Sequence, residues 1–419
     1  MRERTSILQN IDWLAVSLFL AIALIGWINI YAAVYNEEHS SIFDFSQRYG
    51  KQLIWIFASL LIAFVIIAID ATFFSTFAYL IYGLSIFSLL AVLLVGTEIA
   101  GSKSWFQFGG IAIQPAEFAK FATCLALAKY LSTFNVSLKR LRTKIIASAI
   151  IFFPAVLILL QNDTGSALVY SIFILVLFRE GLTGNILIVG LAVAALFVVT
   201  LLVNKLYVLG FLLLAAIVVF YFMKRNARNI AGLVLLLVIA GGFVYSVDYT
   251  FENVLEPHHK KRINVLLGKE LDLQGAGYNV HQSKIAIGSG GLTGKGFLRG
   301  TQTKYDFVPE QDTDFIFCTI GEEWGYLGTF ILITLYMALL LRLIKLAERQ
   351  RSDFSRIYGY GVASIIFFHM TVNIGMTIGL LPVIGIPLPM ISYGGSSLWA
   401  FTILFFIFIR QDAYRLQVL

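Results

Sequence analysis

The chain has 419 residues, of which 59% are hydrophobic and 13% are charged, and its formal net charge is +7. Soluble domains are about 45–50% apolar and about 25% charged, so this composition excludes a soluble protein. The basic residues lie mostly in short stretches between apolar runs, and that distribution argues against nucleic-acid binding. The composition therefore predicts a membrane protein with many spans.

Apolar runs long enough to cross a bilayer, about 20 residues each, follow one another along the chain. The first, at residues 12–35, is too long for a cleavable signal peptide and is predicted to remain as a span. Further runs lie at residues 52–69, 73–95, 115–131, 144–160, 165–179, 183–203, 206–222, 229–247, 315–341, 357–381 and 397–410. The sequence thus predicts an all-α polytopic membrane protein, a single domain over residues 1–419 with about 12 transmembrane helices.

The positions of basic residues predict which side of the membrane each loop faces. Lys and Arg are concentrated in three loops, at residues 139–144, 224–228 and 342–356. Such loops face the cytoplasm, and with twelve spans both termini fall on that side too. The remaining long segments are then extracytoplasmic: residues 36–51, 96–114 and the large loop 248–314. Long loops are usually functional, so the chemistry is predicted to lie outside the cytoplasm.

The large loop contains a glycine-rich run, GSGGLTGKGFLRG, at residues 288–300. A nucleotide-binding P-loop needs Gly-Lys followed by Ser or Thr, whereas Gly296 follows Lys295 here, and no strand pattern precedes the run. The spacing therefore excludes a nucleotide site, and a flexible, turn-rich loop is the alternative. Since ATP is scarce on this side, a bond-forming reaction would need a previously activated substrate such as a lipid pyrophosphate.

Acidic residues cluster where this loop meets the tenth span. Glu310, Asp312 and Asp314 lie in the sequence FVPEQDTDFIF. An ionisable group at membrane depth is costly unless it is paired or hydrated, and it is a functional candidate by default. Asp314 could act as a general base whose pKa is raised by apolar neighbours. It could equally cap the tenth helix.

Polar residues mark other apolar segments as well. Glu117 and Lys120 are three residues apart, on one face of the predicted fourth helix, and Asp163 lies at the outer end of the fifth. Arg48, just before the second span, could bind phosphate, or its side chain could simply extend to the membrane interface. These residues are candidates for a polar site within the membrane region.

The segment before the last span reads GLLPVIGIPLPMISYGGSS. Its prolines break the helix at the membrane surface, where non-helical backbone needs protein or water as partners. Free amides together with Ser392 and Ser396 would suit an anionic substrate, and filling a gap between helices is the alternative.

Histidine and cysteine offer little for metal binding. His258 and His259 lack the further ligands that a zinc site needs, and His369, inside an apolar span near Asn373, fits a buried polar pair. The two cysteines fall in apolar runs, which predicts small buried side chains and no disulfide framework. No metal centre is predicted from these residues.

Taken together, the motifs resemble the SEDS family (shape, elongation, division and sporulation) of bacterial membrane proteins. The resemblance covers residues 11–410 apart from a middle region and rests on SWFQFG, QPAEFAK, GLLPVIGIPLPMISYGGSS and the whole stretch GAGYNVHQSKIAIGSGGLTGKGFLRGTQTKYDFVPEQDTDFIF. GTQ at 300–302 and FVPE at 307–310 favour the elongation branch over the division branch. Family members have a ten-helix, GT-C-like core, so residues 206–247 would be an inserted helix pair.

The resemblance implies a peptidoglycan glycosyltransferase of the bacterial cytoplasmic membrane that polymerises lipid II into β-1,4 glycan strands during cell elongation. It implies that Asp314, in the triplet TDF, is the catalytic base of an inverting displacement on the outer face. We expect the substrate-binding residues to be Arg48, Trp105, Glu117, Lys120, Asp163, Lys295, Glu310, Ser392 and Ser396. Asp312 stands where histidine is common in the family, and its charge is expected to raise the pKa of Asp314 by repulsion.

The expected partners are a class B penicillin-binding protein transpeptidase and other membrane proteins of the elongation complex, and no nucleic acid. A divalent cation, Mg²⁺ or Mn²⁺, could assist departure of the pyrophosphate, although no dedicated ligand set is evident. Two other functions are compatible with the residues: a lipid II flippase or transporter, because acids in spans also line transport paths, and a non-catalytic scaffold for the transpeptidase.

Overall fold

The computed structural model describes residues 7–36, 41–99, 101–109, 111–253, 260, 264 and 276–415. Within these residues the helices are α1 (Ile7–Asn10), α2 (Trp13–Ala33), α3 (Arg48–Ala68), α4 (Ala71–Thr76), α5 (Ala78–Val95), α6 (Pro115–Leu131), α7 (Leu141–Leu159), α8 (Thr164–Leu168), α9 (Phe173–Arg179), α10 (Gly184–Leu202), α11 (Lys205–Phe222), α12 (Ala227–Asn253), α13 (Ala276–Gly290), α14 (Thr301–Lys304), α15 (Ile316–Glu348), α16 (Asp353–Thr377) and α17 (Gly395–Tyr414). Every predicted apolar run is helical, and the run at 73–95 is divided between α4 and α5. His258 and His259 lie outside the described residues.

The prediction of an all-α polytopic membrane protein is confirmed. In the described part of the chain, nine helices are long and apolar enough to cross a membrane. The other three predicted spans are α6, with 17 residues, the short helices α8 and α9 joined by a 3₁₀ helix, and α17, which ends in a polar turn. That these three also cross the membrane stays a prediction.

The chain divides into two units, residues 1–182 with 278–419 and residues 183–277. The second unit contains α10, α11 and α12, whose side chains are mostly exposed, as suits helices that face lipid. Lys205 at the start of α11 forms an ion pair with Asp248 of α12 at 2.7 Å. The proposal that residues 206–247 are an inserted pair stays a prediction.

In the first unit α16 is the central helix. It packs against α15, α6, α9 and α17, while α17 also packs on α3 and α15 on α2. In α16, 72% of the most apolar 18-residue stretch is buried inside the protein. Because that helix is shielded from lipid, it can carry polar side chains at membrane depth if they find partners within the protein.

The helix α15 is kinked at Gly325, whose φ of +64° favours glycine. The N-terminal part of the helix then runs alongside the glycine-rich run, and the two segments exchange backbone hydrogen bonds. Those bonds run from Lys295 N to Glu322 O, from Gly296 N to Glu323 O, from Tyr326 N to Gly291 O and from Leu327 N to Leu292 O. The glycine-rich run is therefore built into the fold by close backbone contact, which explains its composition without a nucleotide.

Strands β1 (Thr97–Ile99), β2 (Ser102–Phe108) and β3 (Ile111–Ile113) form a small antiparallel sheet that was not predicted. Two groups at the start of β2 bind the carbonyl of Gln161: Ser102 Oγ at 2.8 Å and Lys103 N at 3.1 Å. The sheet is thereby fixed next to the loop that carries Asp163.

Candidate functional site

Asp314 is half-buried and lies two residues before α15. The residue at the capping position of that helix is Phe315, so Asp314 is not its N-cap. Gly385 faces the carboxylate, since a Cβ atom added there would lie 3.5 Å from Asp314 Oδ2. The φ of Gly385 is +70°, which also favours glycine. The backbone of Gly385 therefore lies close to one oxygen of the Asp314 carboxylate.

Asn373 and Ser392 contact the backbone around Asp314. The side-chain amide of Asn373 donates to Asp314 O at 2.8 Å and to Ile386 O at 2.7 Å. Ser392 Oγ donates to Thr313 O at 2.6 Å. The hydroxyl that was predicted to bind substrate is thus engaged inside the protein.

Arg48 and Asp312 form an ion pair next to Asp314. Arg48 Nη1 donates to both carboxylate oxygens of Asp312, at 2.8 and 2.9 Å. The Arg48 side chain is 52% exposed and that of Asp312 only 3%. Burial raises the pKa of Asp312, and the Arg48 guanidinium opposes that rise. The expected effect of Asp312 on the pKa of Asp314 stays a prediction.

Glu117, Lys120 and His369 form a buried polar cluster. The predicted ion pair is present, with Lys120 Nζ 2.7 Å from Glu117 Oε2, and Lys120 Nζ also lies 3.0 Å from His369 Nε2. His369 Nδ1 is 3.2 Å from Pro387 O. The expected pair between His369 and Asn373 is replaced by separate contacts of each residue with the segment before α17.

Asp163 caps α8 and is bound to the start of α6. Its Oδ1 accepts from Ser166 N at 2.9 Å, and its Oδ2 accepts from Gln114 Nε2 at 2.7 Å. Ser396 Oγ donates to Ala112 O at 2.8 Å and accepts from Gln114 N at 3.2 Å. Asp163 and Ser396 are therefore joined through Gln114.

Residues 382–389, here called the Pro-rich segment, connect these groups. Gly385 borders Asp314, Pro387 O contacts His369, and Gly165 of α8 packs directly on Ile384 O. Asp314, the Glu117–Lys120 pair and the helix capped by Asp163 thus surround one stretch of non-helical backbone. All of them lie at or near helix ends that are predicted to be on the outer side.

Two predicted site residues, Lys295 and Trp105, lie apart from this group in the contacts that the structure shows, whereas Glu310 lies beside it and its carbonyl accepts from Thr313 N at 3.1 Å and from Phe315 N at 3.0 Å. Lys295 Nζ donates to Glu322 Oε1 and to Thr301 Oγ1, both at 2.6 Å. Glu310 is exposed and accepts from Thr313 Oγ1 at 2.7 Å. Trp105 is half-buried in β2 and accepts from Thr97 Oγ1 through its carbonyl at 3.1 Å. Their roles in binding substrate stay predictions.

The described residues contain no group of three or more His, Cys, Asp or Glu side chains that could hold a metal ion. The acids that lie near each other are already bound by protein donors, such as Arg48 on Asp312. These residues do not fit a resident metal, so no step of the reaction is assigned to one.

Sequence reasoning did not assign His369 and Asn373 to the site. Both are fully buried in the described protein, at 1% and 0% exposure, and each binds a carbonyl of the Pro-rich segment. Their spacing of four residues in an apolar helix, which puts them on one face, was the available signal.

Comparisons with known proteins agree with these motifs. The sequence model of the FtsW/RodA/SpoVE family of cell cycle proteins matches residues 12–210 and 185–416. The peptidoglycan glycosyltransferase RodA of Treponema pallidum is 33% identical over 417 residues, covering 93% of this chain and 95% of that protein. The peptidoglycan glycosyltransferase MrdB of Escherichia coli K12 is 34% identical over 319 residues, covering 76% of this chain and 73% of that protein.

Solved structures agree as well. A chain in a structure of a peptidoglycan synthase complex, described as coordinating polymerization and crosslinking, superimposes with a TM-score of 0.70 at 27% identity and covers 97% of this chain and 99% of its own. The rod shape determining protein RodA of Thermus thermophilus gives a TM-score of 0.63 at 26% identity, with 97% of each chain covered. This multi-pass membrane protein therefore belongs to the FtsW/RodA/SpoVE family.

Proposed function

We propose that this chain is a peptidoglycan glycosyltransferase that polymerises lipid II into β-1,4 glycan strands. Family membership and the names of its relatives support glycosyl transfer. The observation that carries the proposal for this chain is the position of Asp314. Its half-buried carboxylate lies just before a long apolar helix, close to the backbone of Gly385, and the neighbouring Asp312 is paired with Arg48.

In the proposed reaction the Asp314 carboxylate takes the proton from the 4-hydroxyl of the acceptor sugar. The acceptor oxygen forms a bond to the anomeric carbon of the donor as the bond from that carbon to the pyrophosphate oxygen breaks. The polyprenyl pyrophosphate leaves with the bonding electrons, and inversion converts the α-linked donor into a β-1,4 glycosidic bond. Activation resides in the lipid pyrophosphate, so the protein need supply only orientation, a base and cationic groups.

Arg48 is the cation best placed to contact the pyrophosphate. One of its nitrogens binds Asp312, yet 52% of the side chain is exposed, which leaves part of the five-donor guanidinium accessible to an anionic group. Lys120 is 2% exposed and is bound to Glu117 and His369. Its role is therefore to neutralise Glu117 and to fix its position near the Pro-rich segment, rather than to bind substrate directly.

We further propose that the site faces the outside of the cytoplasmic membrane and that both termini are cytoplasmic. The basic loops at 139–144, 224–228 and 342–356 support this orientation. A class B penicillin-binding transpeptidase is the proposed partner, together with other proteins of the elongation complex. Likeness to a chain from a complex that coordinates polymerization with crosslinking supports that partnership.

The test is Asp314→Asn in purified protein with labelled lipid II, alone and with the transpeptidase. Removing a general base slows a reaction by about 10²–10⁴-fold, so we expect polymer to disappear while lipid II binding persists. Asp353→Asn is the matched control, because Asp353 also lies at the start of a long helix but is 61% exposed and pairs with Arg356. Normal polymer formation by Asp314→Asn would refute the assignment of the base.

The same assay in detergent separates glycosyl transfer from the two alternatives. A flippase or transporter needs two compartments, so polymer made by the wild-type protein in micelles excludes transport as the sole activity. A scaffold predicts that polymer formation depends on the partner alone and is unchanged in Asp314→Asn.

A further inference from the structure

Hydrogen bonds restrain the backbone around Asp314 at three consecutive residues. The carbonyls of residues 312–314 each accept a hydrogen bond from a distant part of the chain, and none of these residues belongs to a helix. The bonds run from Tyr393 N to Asp312 O at 2.8 Å, from Ser392 Oγ to Thr313 O at 2.6 Å and from Asn373 Nδ2 to Asp314 O at 2.8 Å. We propose that Asn373 and Ser392 are positioning residues that orient the Asp314 carboxylate.

Asn373 ties Asp314 to the Pro-rich segment. A side-chain amide has two N–H donors, and Asn373 gives one to Asp314 O and the other to Ile386 O. The side chain is fully buried, so water cannot replace either bond. Because both acceptors are carbonyls, the orientation of the amide is fixed, and the separation between the proposed base and the neighbouring Gly385 is fixed with it.

Ser392 makes an equivalent connection one residue earlier. Its hydroxyl donates to Thr313 O and accepts from Leu388 N at 2.8 Å, and the residue is 4% exposed. The single hydroxyl hydrogen is therefore already used inside the protein, which favours a positioning role over the substrate contact expected from the sequence.

Such bonds matter for the proposed reaction because proton transfer is sensitive to distance. A base must lie about 2.6–3.2 Å from the oxygen it deprotonates, and a displacement of about 1 Å can cost about 10²-fold in rate. Residues 312–314 precede α15, so the ladder of helix hydrogen bonds does not hold them. Turn hydrogen bonds from Thr313 N and Phe315 N to Glu310 O hold the segment locally, and Asn373 and Ser392 supply the side-chain restraint from distant parts of the chain.

The experiment compares Asn373→Ala and Ser392→Ala with wild type in steady-state polymerisation of lipid II. We expect kcat to fall about 10–100-fold, while KM stays within about two-fold and the melting temperature in detergent stays near that of wild type. Thr377→Val is the matched control, since Thr377 is buried one turn further along α16 and its hydroxyl bonds only within that helix, to Ile374 O, among the contacts the structure shows. This control should retain wild-type kcat.

The proposal rests on the proposed function, and a double mutant separates the two. If Asn373 acts through Asp314, then Asn373→Ala should slow an Asp314→Asn protein no further. Wild-type activity of Asp314→Asn would overturn the assigned base itself. Wild-type kcat in both single variants, or a fully additive loss in the double mutant, would overturn the positioning role alone. If both single variants lose lipid II binding or fail to fold, the residues are structural and the proposal is rejected.

Discussion

Replacing Arg48 with alanine tests how the buried carboxylate of Asp312, two residues before Asp314, is stabilised. Arg48→Ala removes the guanidinium that binds the buried Asp312 carboxylate. One guanidinium nitrogen lies 2.8 Å from one oxygen of that carboxylate and 2.9 Å from the other. Loss of a charged hydrogen-bond partner from a buried acceptor costs about 1.5–3 kcal/mol. Because the Arg48 side chain is 52% exposed, solvent screens part of the attraction. The expected loss in the free energy of unfolding is therefore about 1–2 kcal/mol at pH 8.

The same variant should show a defined dependence on pH. Burial raises the folded-state pKa of Asp312 and Arg48 opposes that rise, so without Arg48 the folded-state pKa rises further. A carboxyl group that binds its proton more tightly in the folded state makes the protein less stable as pH rises. The loss begins near the pKa of the unfolded state, about 3.9, and continues through the pKa of the folded state. The deficit of Arg48→Ala should accordingly be smaller at acidic pH, where Asp312 is protonated, than at alkaline pH, where it is ionised.

Chemical unfolding in mixed micelles at several pH values measures both effects. Asp312→Asn added to Arg48→Ala should recover most of the lost stability at pH 8, because an amide needs no counter-charge. The reasoning is refuted if Arg48→Ala is as stable as wild type at pH 8, or if its deficit is independent of pH and persists in the double variant.

Two further variants probe the surroundings of Asp314. Lys120→Met leaves Glu117 buried without its cation, which lowers the free energy of unfolding by about 3–5 kcal/mol. Adding Glu117→Gln should restore part of the lost melting temperature. Equal melting temperatures of the single and double variants would contradict the pairing. Gly385→Ala places a methyl group 3.5 Å from Asp314 Oδ2 at a φ of +70°, so polymerisation should fall several-fold with a stability loss of about 1 kcal/mol. Gly190→Ala, at a helix position with open space around it, should leave the rate unchanged.

The features that the sequence predicted correctly depend on local periodicity. Runs of about 20 apolar residues locate the helices, and the i,i+3 spacing of Glu117 and Lys120 predicts their ion pair. The β-sheet around Trp105 was missed because its strands have only three to seven residues. The alternation of side chains that indicates paired strands cannot be recognised within so short a loop.

The contacts that assemble the site were beyond sequence reasoning because they join distant residues. Arg48 and Asp312 are 264 positions apart, and Asn373 and Asp314 are 59 apart. Periodicity within one helix says nothing about which neighbouring segment a side chain meets. The ion pair of Arg48 with Asp312 was not predicted for that reason, since the arginine lies at the start of another helix.

The Pro-rich segment explains why the buried spans contain polar side chains at all. Backbone at membrane depth that leaves the helical conformation has carbonyls without helix partners, and each needs a donor from the protein. Ile386 O receives Asn373, Pro387 O contacts His369, and Pro389 O receives the hydroxyl of Tyr336. Two of these donors also contact other polar groups, since Asn373 binds the backbone of Asp314, the proposed base, and His369 contacts Lys120 of the buried Glu117–Lys120 pair. The carbonyls of the Pro-rich segment thus account for buried polar residues on the neighbouring helices, and one of those residues, Asn373, also restrains the backbone of the proposed base.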